Sequence, residues 1–190
     1  MQLRVKAGLI QAAVAAVIIP LLIQPAFILG YTSYVWLLFM ALPLFFLLGA
    51  DLRALPSMLL SFAAGQLWAV LLGVATGALA GLLGPAAGGA LAAVLVIFTM
   101  LTVHDTLLKS TFLGNVPAMF TGMALTSFVL DLTPAEAPAL TPLHITAFFL
   151  YGTVIAVALA MVGGFLCSRV LGEDWRTKLE GGSAEEAPAV

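Results

Sequence analysis

Long apolar runs dominate the chain, and they divide only at charges and at clusters of glycine and proline. A helix that spans a bilayer needs about 20 consecutive apolar residues. Six runs meet or approach that length, at about 7–29, 32–50, 56–82, 86–108, 112–131 and 142–170. The first two meet at Gly30 with almost no loop between them. The pattern predicts an all-α integral membrane protein. The expected architecture is a six-helix transmembrane bundle whose fifth helix is broken or starts late.

Composition narrows the class. Of 190 residues, 63% are hydrophobic and 8% charged, against roughly 45–50% and about 25% in soluble domains. No water-soluble core of this size hides so much apolar surface, so a soluble enzyme and a disordered linker are excluded. A net charge of −2 provides no basic surface for nucleic acid. The single cysteine, Cys167, has no internal partner for a disulfide. The run beginning at Ala7 is too long for a signal-peptide core, and no small-residue cleavage site ends it, so it reads as an uncleaved first span.

The seven basic residues are Arg4, Lys6, Arg53, Lys109, Arg169, Arg176 and Lys178. With six spans they all fall on one side, while the loops near 30, 83–88 and 132–141 have none. The positive-inside rule then puts both termini in the cytoplasm, and the expected location is a bacterial inner membrane. Tyr31, Tyr34, Trp36 and Trp175 are expected at the membrane interfaces. Residues 1–171 are expected to form the transmembrane domain, and the acidic, Gly/Ser-containing stretch 172–190 a disordered cytoplasmic tail.

Four groups of residues could carry function. Gly65, Gly73, Gly77 and Gly81 recur at spacings of eight, four and four, which lets another helix approach closely; packing within the chain or in a homo-oligomer is the expectation. Gln11, Gln24 and Gln66 lie at membrane depth, where an amide needs a partner. That partner is either another helix or, for Gln66 with Trp68, a solute. The segment Gly114-Asn115-Val116-Pro117-Ala118-Met119-Phe120-Thr121-Gly122 places a proline where a helix starts or kinks. Asn115 or Val116 is then near the N-cap. Broken helices of this kind surround solute sites in transporters, but a proline can also simply mark where a helix begins. His104, Asp105 and Lys109 precede it; Asp105 and Lys109 are four apart and share a helix face. They read as an interfacial ion pair or as a gate. His144, at the start of the sixth run, reads as a capping or solvated residue.

Catalytic signatures are missing: there is no HExxH, no GxSxG, no Cys/His ligand cluster and no phosphate-cradling loop. The expectation is no catalytic residue, no metal and no cofactor.

Three short elements carry a resemblance. Gly49 through Leu55 form a glycine-containing turn, Gly65-Gln66-Leu67-Trp68 a G-x-x-W element, and Val116-Pro117-Ala118-Met119-Phe120-Thr121-Gly122 a proline-led helix start. Over roughly residues 30–170 the chain resembles the YcdZ-like small bacterial inner-membrane proteins, a family of unknown function. Where that family has Gly-Thr after the proline, this chain has Ala118-Met119. The resemblance implies the fold and carries no activity. The layout is also similar to the membrane half of fusaric-acid-resistance-type exporters.

The residues thus point first to a channel or simple transporter for a small, mostly neutral polar solute. Asn115, Val116, Pro117, Thr121, Gln66 and Trp68 would line its path, and His104, Asp105 and Lys109 its cytoplasmic mouth. The expected partners are the lipid bilayer, the solute and further copies of the chain. The alternative is a non-transporting scaffold or accessory subunit that binds a partner through its glycine-rich faces.

Overall fold

A computed structural model describes residues 3–131 and 137–179, and all of its regular structure is helical. The helices are α1 (Leu3–Leu22), α2 (Gln24–Ile28), α3 (Trp36–Phe39), α4 (Ala41–Leu47), α5 (Leu55–Leu83), α6 (Pro85–Thr102), α7 (Val116–Asp131) and α8 (Pro142–Leu171). Short 3-10 turns precede α3 and α5, and a π-helical turn, Val103–Leu107, extends α6.

Two expected single helices are interrupted, each for the same reason. A proline lacks the N–H that would bond to the residue four earlier, and its ring crowds that carbonyl. Pro25 stands four residues after Leu21, and α1 ends at Leu22. Pro43 stands four residues after Phe39, where α3 ends. The runs 7–29 and 32–50 are therefore bent elements. The third, fourth and sixth runs match α5, α6 with its π turn, and α8 within a residue or two. The fifth begins late, at Val116.

Four stretches are long and apolar enough to cross a membrane: Leu3–Ile28, Leu52–Leu83, Pro85–Leu107 and Pro142–Leu171. Thr32–Leu47 and Val116–Leu130 are apolar but shorter. The 16 residues of α7 extend about 24 Å at 1.5 Å per residue, less than the roughly 30 Å of a hydrocarbon core. Large apolar side chains such as Leu67, Val74, Leu82, Val94 and Phe98 are exposed around the outside. A lipid environment accommodates that surface; water does not.

The helices pack as two groups. α5 pairs with α6 and α7, while α8 pairs with α1, α3 and α4. Glycine makes the tightest crossing possible. A Cβ on Gly65 would overlap the Met119 carbonyl, and one on Gly122 would overlap the Phe62 carbonyl, so the α5 and α7 backbones touch at both points. Gly152 of α8 lies equally close to the Leu38 carbonyl of α3. The two groups meet through Phe62 and Phe149, stacked with ring centroids 3.7 Å apart, inside a core that also holds Tyr34, Phe45, Met58 and Ile145.

Two aromatic residues expected at the interface pack against the bundle. Tyr34 is buried and its hydroxyl donates to the Pro138 carbonyl at 2.8 Å. Trp175 is 6% exposed and packs against Ala7 and Cys167, with Nε1 donating to Ser168 Oγ at 3.3 Å. Residues 172–179, assigned from the sequence to the tail, thus return to the bundle, with 175–179 helical. The rest of that expected tail, and residues 132–136 of the fifth-to-sixth loop, lie outside the described residues.

The α5–α7 crossing makes a direct prediction. Gly65→Val forces a side chain into backbone, and overpacking of this kind costs about 1–3 kcal/mol or more. Gly77→Val, at a site where an added Cβ meets nothing within 4 Å, is expected to leave stability unchanged. Thermal unfolding of the two variants in one mild detergent measures the difference. Equal melting temperatures would contradict the backbone contact.

Candidate functional site

The start of α7 is built by its own sequence. Asn115 Oδ1 accepts the Ala118 N–H at 3.1 Å, and the Asn115 carbonyl accepts Met119 N–H at 3.0 Å. This is the geometry of an N-cap, with Pro117 in the first turn where its missing N–H is harmless. The Asn115 N–H donates to Ser61 Oγ at 3.1 Å, and Ser61 donates onward to the Phe112 carbonyl at 3.2 Å. Thr121 Oγ1 donates to the Pro117 carbonyl at 2.9 Å. Val116 N–H is bonded to the Gly114 carbonyl. The donors that a late-starting helix leaves open are thus occupied by α5 and by the preceding loop.

His104 is 3% exposed and held from both sides. Trp68 Nε1 lies 3.0 Å from its Nε2, and the Leu113 carbonyl 2.7 Å from its Nδ1. An indole nitrogen only donates and a carbonyl only accepts. His104 is therefore the neutral imidazole carrying its proton on Nδ1, tying α5, the π turn and the loop before α7 together. A π turn inside an α-helix is uncommon, and here it carries His104 between those partners.

Asp105, one residue on, points the other way. Its Oδ1 is 3.6 Å from Lys109 Nζ, with the Lys109 and Asp105 side chains 72% and 62% exposed. An ion pair this exposed contributes about 0–1 kcal/mol. His104, Asp105 and Lys109 do not converge on one point: the histidine joins the interior and the ion pair faces outward.

Gln66 forms the polar junction between the two helix groups. Its Nε2 donates to the Pro142 carbonyl at 3.0 Å, and its Oε1 accepts from Thr146 Oγ1 at 2.6 Å. Two residues on, Trp68 is directed to His104, so the two side chains serve different joints. Among the described residues, the buried side-chain polar atom left without a partner is Thr126 Oγ1 in α7. His144 Nδ1 accepts the Thr141 N–H at 3.1 Å and closes a capping box at the start of α8.

Of the four spaced glycines, Gly65 makes the α5–α7 contact, whereas Gly73, Gly77 and Gly81 have nothing within 4 Å of an added Cβ. They lie on an exposed face of α5, beside the face that carries Thr76, Leu79 and Ala80 against α6, and no described helix packs on it.

A separate site lies between α1, α4 and α8. A cavity of about 620 Å³ is bounded by Gln11, Ala12, Ala15 and Ile19 of α1, by Leu42, Phe46, Gly49 and Ala50 around the end of α4, and by Leu159, Ala160 and Gly164 of α8. Trp175 and Arg176 complete the lining of this half-open cavity. Its volume falls in the range of small-molecule pockets. Of its lining residues, Gln11 alone was singled out from the sequence as a polar group at membrane depth. Arg176 reads in sequence as part of a polar tail, and only the docking of Trp175 brings it back to Gly164, twelve residues earlier. The Gly163-Gly164 pair, which leaves α8 bare there, was the available signal. Among the described residues, no group of three or more His, Cys, Asp or Glu comes together as a metal ligand set.

Residues 8–172 match the family described as a protein of unknown function, DUF1097, and the chain belongs to that family. No curated protein and no solved structure matches the chain.

The Trp68–His104 bond is testable as a pair. Leaving a buried acceptor without its donor costs about 1–3 kcal/mol, so Trp68→Phe is expected to be destabilised by that amount. His104→Leu also loses the Leu113 contact. In a double-mutant cycle followed by chemical unfolding, a coupling of about 1 kcal/mol is expected. Additive losses would mean the two side chains do not act as a unit.

Proposed function

We propose that this member of the DUF1097 family is a channel or simple transporter for a small polar solute of low net charge, and that the solute occupies the cavity between α1, α4 and α8. The observation that carries the reading is the combination in that cavity of volume, apolar walls and two polar side chains, Gln11 and Arg176. The start of α7 offers less to a solute, because Asn115, Ser61, Thr121, Trp68 and Gln66 are engaged with the protein itself. Those residues then act by fixing the joint between α5, α6 and α7, and Asp105 with Lys109 forms an outward-facing ion pair rather than a gate.

The same reading places the protein in a bacterial inner membrane with both termini in the cytoplasm, supported by the one-sided distribution of its seven basic residues. It includes self-association on the uncovered glycine face of α5, supported by the open space at Gly73, Gly77 and Gly81. It is a reading of transport without catalysis.

Stopped-flow light scattering on proteoliposomes tests it, with urea, glycerol, formamide and short carboxylates in turn against empty liposomes. Faster entry of at least one solute is expected. Ala15→Phe with Ala160→Phe, which fills the cavity, is expected to reduce that entry at least tenfold, while Asn115→Leu with Thr121→Leu is expected to leave it within about twofold. Loss confined to the second variant would move the path to the start of α7. No acceleration by folded, inserted protein would favour the accessory-subunit reading.

A further inference from the structure

The lining of the cavity between α1, α4 and α8 includes an arginine, Arg176, that also remains exposed. Arg176 belongs to the short helical stretch 175–179, which begins with buried Trp175. Trp175 is fixed by packing against Ala7 and Cys167 and by its bond to Ser168. The Arg176 guanidinium lies 5.3 Å from the Trp175 ring centroid, in cation–π range. From there it reaches back to α8, where a Cβ on Gly164 would stand 3.3 Å from its Nη2. Any larger residue at 164 would compete with the guanidinium for that space. The arginine is thus carried to the cavity wall by an anchored tryptophan, and a glycine leaves room for it.

Among the described residues, no carboxylate is placed to neutralise it. Among the described residues the ion pair is Asp105 with Lys109, far from this cavity in sequence and on different elements, and no carboxylate lines the cavity. Gln11 is the other polar side chain in the lining, and Ala12, Ala15, Ile19, Leu42, Phe46 and Leu159 make the walls apolar. The wall also includes Ala50, held at a φ of 55° beside Gly49 at 73°. A non-glycine residue in that region is uncommon and costs of order 1 kcal/mol. It is the sole non-glycine positive φ among the described residues, and it faces this cavity.

We infer that the cavity is a binding site for an amphipathic monoanion: a single carboxylate or phosphate-type group engaged by Arg176 and Gln11, with a short apolar body along α1 and α4. The inference rests on the same cavity as the proposed transport, and adds the charge and shape of its ligand. A guanidinium presents two parallel N–H donors that match a carboxylate or phosphate edge. An apolar pocket with one such cation selects one negative charge on an apolar body over a neutral polyol or a dianion. A free amphipathic acid and the headgroup of an anionic lipid share this chemistry.

Binding in detergent tests it without reference to flux. The purified full chain in a neutral detergent is titrated with sodium octanoate, followed by tryptophan fluorescence and calorimetry, with octanol as the uncharged control. Saturable octanoate binding is expected, at least tenfold tighter than octanol. Arg176→Gln, with an unchanged melting temperature, is expected to weaken octanoate at least tenfold and leave octanol unaffected; Arg176→Lys is expected to fall between. In a parallel arm, native mass spectrometry compares retention of phosphatidylglycerol and phosphatidylcholine. Phosphatidylglycerol retained by the parent protein, lost in Arg176→Gln and not displaced by octanoate would assign the same anion site to a lipid. Absence of both ligands from the parent protein, or equal binding of either by folded Arg176→Gln, would overturn the inference. Binding without proteoliposome flux would reject transport and leave the anion site standing. Flux of neutral solutes without anion binding would do the reverse.

Discussion

A polar group inside an apolar bundle has no water to bond, and must find its partner within the protein. Much of this structure follows from that constraint. Gln66 spans the gap between the two helix groups because both ends of its amide find partners on α8. His104 sits on a π turn between an indole donor and a carbonyl acceptor, and the two fix its tautomer. Asn115 uses its side chain to cap α7 and its backbone N–H to reach Ser61. The Gln66, Trp68–His104 and Asn115–Ser61 bonds join segments distant in sequence, so they specify which helices meet as well as satisfying the groups concerned.

Close approach is the second determinant, and the first depends on it. Gly65 and Gly122 bring the α5 and α7 backbones into contact, which holds Ser61 within reach of the loop before α7. Prolines act in the opposite sense. Pro25 and Pro43 end helices that hydrophobicity alone would continue, and the resulting bends let α3 and α4 follow α8. The cavity between α1, α4 and α8 lies where these bent elements pack less closely than α5 does against α7, and its polar side chains come from a span, Gln11, and from beyond the last span, Arg176.

The long helices α5, α6 and α8 were legible to within a residue or two, because uninterrupted apolar runs bounded by charge or glycine have one reading. The late start of α7 was legible as well, since Asn-Val-Pro is a helix-start signature. The bends in the first two runs were not, because proline inside an apolar run is compatible with either a kinked or a broken helix until packing decides. Tyr34 and Trp175 were expected at the interfaces from their amphipathic character; their partners, the Pro138 carbonyl and Ser168, are set by tertiary packing that periodicity does not encode. For the candidate site, the sequence pointed to the polar residues nearest the helix break, and those are the residues the fold uses internally. Arg176 was hidden because its position depends on a chain reversal at Gly172 and on one tryptophan finding a pocket.

The central proposal is that a solute enters by the cavity between α1, α4 and α8 rather than at the start of α7, where the backbone and hydroxyl donors are bonded within the protein. Cysteine accessibility measures this directly, because the native Cys167 is buried. Ala160→Cys and Val116→Cys, each in intact membranes, are treated with a small hydrophilic maleimide before denaturation and counting of unreacted thiol. The account predicts rapid labelling at position 160 and little at position 116. Rapid labelling at 116 with none at 160 would contradict it and put the aqueous path at the start of α7.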